Sequence, residues 1–117
     1  MLFLGALTFD AADPQRLGAF WAAVLGRQAR AGRALPEAVV LDATDAEPTW
    51  LFLPVPEPKT AKNRFHPDLH TPDLDAEVAR VTALGASVLA RHDEAGRWVV
   101  LADPEGNEFC LLRHRLS

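Results

Sequence analysis

Three residues in one short segment have the chemistry of a reactive site: His66, Asp68 and His70, at every second position. Side chains alternate along a strand, so all three would leave the same face, where they could hold a proton or form part of a metal site. The plainer alternative is that Asp68 and His70 solvate the end of a strand whose ladder Pro67 interrupts. Glu108 and Cys110 share a face by the same alternation, with Phe109 and Leu111 turned toward the opposite layer. Glu108 would act as a general base only if desolvation raised its pKa; otherwise it is an exposed carboxylate following a turn. Cys110 reads as a small buried apolar residue or as a ligating thiol. Trp50, Phe52 and Trp98 would make an apolar wall for a flat or hydrophobic ligand if alternation sets them beside these polar groups, and core if it does not. The candidates are therefore His66 and Glu108 for proton transfer, with Trp50, Phe52, Asp68, Trp98 and Cys110 for ligand contact. His92 and His114, beside Arg91, Arg113 and Arg115, are expected at the surface, as are Lys59, Lys62 and Arg64, whose charge would also draw an anionic ligand.

Local signals define the elements that must carry these residues. Leu17, Phe20, Trp21, Val24 and Leu25 form one apolar stripe at helical spacing, which predicts a helix over Pro14–Leu25. Asp13 is its N-cap, Pro14 occupies the first helical position, and Gly26 is a left-handed stop. A second helix is predicted from about Leu74 to Leu84, with Asp73 as cap, Leu74, Val78 and Val81 on the stripe, and Gly85 as stop. Strands are predicted near Phe3–Asp10, Arg27–Ala31, Ala38–Ala43 and Thr49–Leu53. Four more are predicted near Phe65–Thr71, Ser87–His92, Arg97–Ala102 and Glu108–His114. Pro54, Pro56 and Pro58 alternate through a stretch that cannot donate ladder bonds and reads as extended linker.

The chain has 117 residues, 49% hydrophobic and 24% charged, which predicts one globular domain with a core of its own. A formal net charge of −4 with no Lys/Arg run excludes a phosphate-tracking nucleic-acid binder and leaves a small molecule as the expected partner. Cys110 is the only cysteine, so no internal disulfide forms and a reducing, cytoplasmic compartment is expected. The apolar start, Met1 to Phe9, lacks a basic flank and is broken by Asp10, so neither a signal peptide nor a membrane span is expected.

The two halves superpose. Asp13 matches Asp73, Leu25-Gly26 matches Leu84-Gly85, and Asp45 through Phe52 lies over Asp103 through Cys110, at an offset of about 58 to 60 residues. This is a duplicated βαβββ unit, with module one over about 1–54, a linker over about 55–64 and module two over about 65–117. One helix covers one face of each small sheet, so the other faces must be shared, forming a cleft.

With these features the chain resembles the vicinal oxygen chelate superfamily, and within it the small glyoxalase-like domains related to bleomycin-resistance proteins and extradiol dioxygenases. The resemblance spans the whole chain. It rests on Phe9 to Pro14 leading into Leu17-Gly18-Ala19-Phe20-Trp21, on Val55-Pro56-Glu57-Pro58-Lys59 before Asn63-Arg64-Phe65-His66, on Asp73 to Glu77, and on Trp98 through Cys110 with its Asp103-Pro104-Glu105-Gly106-Asn107 turn. It implies an α+β fold of two tandem βαβββ modules forming a curved, mostly antiparallel sheet around a cleft, in a homodimer.

The resemblance also implies a divalent metal in the enzymes of this group, held from the first and last strands of each module. Here those positions fall on Ala6, on or next to Phe52, on His66 and on Cys110, so only His66 and Cys110 have donor atoms. An imidazole and a thiol alone are the wrong set for Mg²⁺ or Mn²⁺ and too few. No cofactor is assigned on this basis, and a metal would require Asp68, His70 or Glu108 to complete the site. Two functions follow as expectations: a lyase, isomerase or oxygenase step on a vicinal-oxygen substrate, or non-enzymatic binding of a drug or metabolite as in the bleomycin-resistance type.

Overall fold

The computed structural model describes residues 1–93 and 97–113. The chain divides into two compact units, Met1–Pro58 and Lys59–Ser117. In the first unit, β1 (Ala6–Ala11) leads into α1 (Pro14–Leu25), then β2 (Ala29–Ala31), β3 (Val39–Leu41) and β4 (Thr49–Pro54). The second repeats that order with β5 (Asp68–Thr71), α2 (Leu74–Leu84), β6 (Ser87–His92), β7 (Trp98–Ala102) and β8 (Glu108–Arg113).

Both helices keep the limits expected of them because their ends are chemically specified. The Asp13 carboxylate accepts the Arg16 N–H at 3.1 Å, and the Asp73 carboxylate accepts the Ala76 N–H at 3.2 Å. Gly26 closes α1 at φ 65°, the left-handed region. Leu17, Phe20, Trp21 and Val24 are buried along α1, as are Leu74, Val78 and Val81 along α2. Gly18 is needed for another reason. A Cβ there would lie 2.5 Å from Cγ1 of Val39, so its absence lets α1 pack directly onto β3.

Each sheet is mixed. The strand orders are β1-β4-β3-β2 and β5-β8-β7-β6, with the first strand of each unit parallel to the last and the remaining pairs antiparallel. This is the duplicated βαβββ architecture.

Several strands are shorter than expected. β1 starts at Ala6, opposite Thr49 where β4 begins, so Phe3 has no ladder partner and Met1 to Leu4 are exposed. β5 starts at Asp68, since Pro67 cannot donate and its carbonyl is taken by the Cys110 N–H at 2.9 Å. β2 omits Arg27, whose guanidinium is engaged elsewhere. Its Nη2 donates to the carbonyls of Leu41, Asp42 and Pro48, and its Nη1 meets Glu47 at 3.1 Å, lacing together the loops around β3 and β4. His114 and Arg115, expected at the surface, lie outside the described residues.

The strand registers also revise the overlay of the halves. Asp68 pairs with Cys110, and the matching pair in the first unit is Thr8 with Leu51. The counterpart of Cys110 is therefore Leu51, and Phe52 corresponds to buried Leu111. With Ala6 at the place of His66, the first unit supplies no donor at either position.

Candidate functional site

The face of the second sheet turned away from α2 is built row by row. Pleating sends Val99, Leu101, Phe109 and Leu111 toward α2, where they are buried. Their neighbours take the opposite face. Val100, Cys110 and Asp68 stand side by side across three strands, followed by Trp98, Leu112 and His70 in the next row, with Ala102 and Glu108 on the other flank. His66 arrives just ahead of β5, its Nδ1 3.4 Å from Oδ1 of Asp68. The donor atoms of His66, Asp68 and Cys110 all lie within 4.8 Å of one another. His70 shares the face of Asp68 but is not a member of this group.

Cys110 is held as a thiol. Burial pushes its pKa above the ordinary value, and the charge of Asp68 with a hydrogen bond to that carboxylate pushes it further, against a weaker pull from Lys62. It is not an activated nucleophile.

Glu108 differs from the expectation of a desolvated base. Burial does act to raise its carboxyl, but the Asn63 N–H, the Lys59 ammonium and its own backbone N–H outweigh it and hold the group below the ordinary carboxylate value. Oε1 receives Lys59 Nζ at 3.1 Å and Oε2 the Asn63 N–H at 2.9 Å, while Asn63 Oδ1 accepts the Glu108 N–H at 3.3 Å. Both oxygens are thus committed to residues expected to be linker. Glu108 clamps this strap to β8 and lacks the raised pKa that the expected proton-transfer role required. The turn before it is equally well specified: buried Asp103 accepts the Glu105 and Asn107 N–H groups at 3.0 and 2.9 Å, and Gly106 adopts φ 88°.

Trp50 and Phe52 are a correction as well. They are 4% and 0% exposed and pack with Phe9 and Trp21 beneath α1, with Phe9–Phe52 ring centroids 4.9 Å apart and Trp21–Trp50 centroids 5.2 Å apart. A hydrophobic helix stripe is the larger apolar surface available to them, so they are core and not ligand wall. Trp98 does stand on the polar face, half-buried and stacked on His92 at 4.5 Å. Sequence reasoning missed the roles of Arg27, Lys59 and Asn63. Lys59 and Asn63 gave a signal, through their places in the segment that carried the family resemblance.

The profile of the glyoxalase-like domain matches residues 6–112. The chain belongs to this family. In structure, the glyoxalase-like domain is similar to the fosfomycin resistance protein FosX of Listeria monocytogenes at TM-score 0.76 and 15% identity, covering 99% of this chain and 96% of that one. It is similar to a glyoxalase/bleomycin resistance/dioxygenase family enzyme of Burkholderia phytofirmans at TM-score 0.72 and 21% identity, covering 93% and 96%. An antibiotic-binding protein of a Streptomyces species matches at TM-score 0.70 and 19% identity, covering 98% of each. No curated protein matches the sequence. None of the helices, among the described residues, is long and apolar enough to cross a membrane.

The family's divalent metal can be tested against this donor set. One imidazole nitrogen, one carboxylate oxygen and one sulfur converge, all from the second unit, whereas the hard ions prefer oxygen. The set fits a borderline ion and not Mg²⁺ or Ca²⁺. His66, Asp68 and Cys110 would hold such an ion, which supplies Lewis-acid polarisation of a bound oxygen.

Proposed function

We propose that this glyoxalase-like domain binds a small organic molecule against the face of its second sheet that carries His66, Asp68, His70, Cys110 and Trp98. The carrying observation is the convergence of the His66, Asp68 and Cys110 donor atoms within 4.8 Å, bordered by the apolar side chains of Val100, Leu112 and Trp98. Such a face combines a few fixed polar groups with an apolar platform, the usual composition of a small-molecule site. The Trp98 ring offers a surface for a flat or hydrophobic ligand, and the polar cluster orients its oxygens.

Binding without turnover is the reading the geometry supports best. Both Glu108 oxygens are committed, Cys110 is held as a thiol, and Ala6 and Leu51 contribute no donor. The fold similarity to an antibiotic-binding protein is compatible with this reading. A lyase or isomerase step on a vicinal-oxygen substrate is the second reading. It is favoured by the His66–Asp68 pair, in which the carboxylate orients an imidazole able to take a proton from a substrate. We further propose a cytoplasmic homodimer as the working form.

The deciding experiment screens vicinal diols, α-hydroxy ketones and hydrophobic antibiotics by thermal shift, then recovers each binder and analyses it by mass spectrometry. One equivalent per chain recovered unaltered supports the binder; a changed product supports the enzyme. Light scattering in the same buffer reads the oligomeric state.

A further inference from the structure

We propose that the molecule bound on the second sheet's face is an organic acid, a flat ring carrying a carboxylate, and that Lys62 selects for its charge. This inference rests on the small-molecule reading above and adds the class of ligand. The balance of charge on the face is its first ground. Both carboxylates there are already answered: Asp68 Oδ1 meets His66 Nδ1 at 3.4 Å, while Glu108 receives Lys59 Nζ at 3.1 Å and the Asn63 N–H at 2.9 Å. Lys62 and Arg64, on the same strap, have no carboxylate partner among the described residues. The charge left over at this edge is therefore positive, in a chain whose formal net charge is −4.

The strap fixes where that charge stands. The Asn63 N–H lies on Glu108 Oε2, which puts the Lys62–Asn63 peptide against β8, and Asn63 Nδ2 donates to Asn107 Oδ1 at 3.3 Å. Further along, the Pro67 carbonyl takes the Cys110 N–H at 2.9 Å. Lys62 is thus carried on a segment pinned to β8 on both sides of it. Of the two free cations, Lys62 is the one whose charge acts on the Cys110 thiol, pulling against burial. The row beyond Cys110 is that of Leu112, two positions and about 6.6 Å along the strand, and Leu112 is the ladder partner of Trp98. His92 stacks on Trp98 with centroids 4.5 Å apart and steadies the indole. A cation and an apolar ring are therefore spaced for one aromatic ring bearing a carboxyl group. Lys62 is exposed, so an acid reaches it from solvent.

The test compares acids with their neutral counterparts. The full chain is titrated by calorimetry, at low salt, with benzoate, phenylacetate and 2-naphthoate and with the three corresponding amides. Each acid should bind about fivefold more tightly than its amide, the upper range for an ion pair open to solvent. That preference should shrink at about 1 M salt, where the screening length falls to about 3 Å. Lys62→Met should bring acids and amides to equal affinity, and Lys62→Arg should restore the difference. Trp98→Ala should weaken both series alike. Arg33→Met removes the same charge from an exposed position in the first unit and should leave the preference intact. The exposure of Lys62 lets its variants keep the fold, which circular dichroism verifies. Acids and amides bound equally by the wild type, or a preference that survives Lys62→Met, would overturn the proposal and leave the small-molecule reading in place. Failure of every acid to bind overturns it as well, and the small-molecule reading is then decided separately by the diols, ketones and antibiotics of the screen.

Discussion

Asp68 lies directly across the parallel β5–β8 ladder from Cys110, while the corresponding pair in the first unit is Thr8 with Leu51. The duplicated framework has therefore kept its pairing geometry while only one copy carries donor chemistry at these positions. Every candidate polar group that the structure brings together belongs to the second unit.

His66→Ala should separate the two functional readings. If the imidazole serves as the base, turnover falls by about 100-fold or more, the usual scale of general-base catalysis, with the circular dichroism spectrum unchanged. Steady-state kinetics on any substrate found in the screen checks this, and undiminished turnover removes His66 from the mechanism.

Glu108→Gln should lower stability by about 1–3 kcal/mol, because a largely buried carboxylate, 12% exposed, loses its ion pair with Lys59 and a charge-assisted bond from Asn63. The wild type has a matching pH signature. The folded Glu108 carboxyl lies below its ordinary value of 4.5, so its contribution is complete above that value and is lost as pH falls through the folded pKa. Urea midpoints measured across this acid range should decline more steeply for wild type than for Glu108→Gln. Parallel curves would show that the clamp contributes nothing.

Gly18→Ala is expected to destabilise by about 1–3 kcal/mol despite the better helix propensity of alanine. Its Cβ would meet Val39 Cγ1 at 2.5 Å, and the side chain met is a β-branched residue buried in β3. Urea unfolding measures the change. A gain in stability would mean that α1 shifts off the sheet at little cost.

Phe52→Ala and Trp98→Ala should fail in different assays. Phe52 is fully buried and packs on Phe9, so its truncation costs about 3–5 kcal/mol in unfolding experiments. Trp98 is half-buried on the polar face, so its truncation should weaken ligand binding and cost less stability. Equal effects of the two variants on stability, with ligand affinity intact in Trp98→Ala, would place Trp98 in the core.

Both helices could be read residue for residue because their stop and start signals act within one turn: a carboxylate bonds an N–H three positions on, and a glycine reverses the backbone beside the last turn. The duplication was legible for the same reason, as were two separate alternations, His66 with Asp68 and Glu108 with Cys110, since spacing alone reports a period of two. That period also establishes that Trp50 and Phe52 share a face, but it sets only parity. Which face meets the helix depends on where α1 lays its apolar stripe, and this put Trp50 beside Phe9 and Trp21 and Phe52 beside Phe9. The fate of Glu108 was equally hidden, because its partners Lys59 and Asn63 are distant in sequence and reach it only once the strap folds onto β8. Arg27 likewise finds its carbonyl acceptors only after β3 and β4 have paired. Sequence by itself determined the family, the duplicated βαβββ order, the helix limits and the His66–Asp68 alternation, all written in local spacing. Tertiary structure alone decided which aromatics are core, which carboxylate is an anchor, and that Asp68 stands beside Cys110, because these outcomes depend on contacts between residues far apart in the chain.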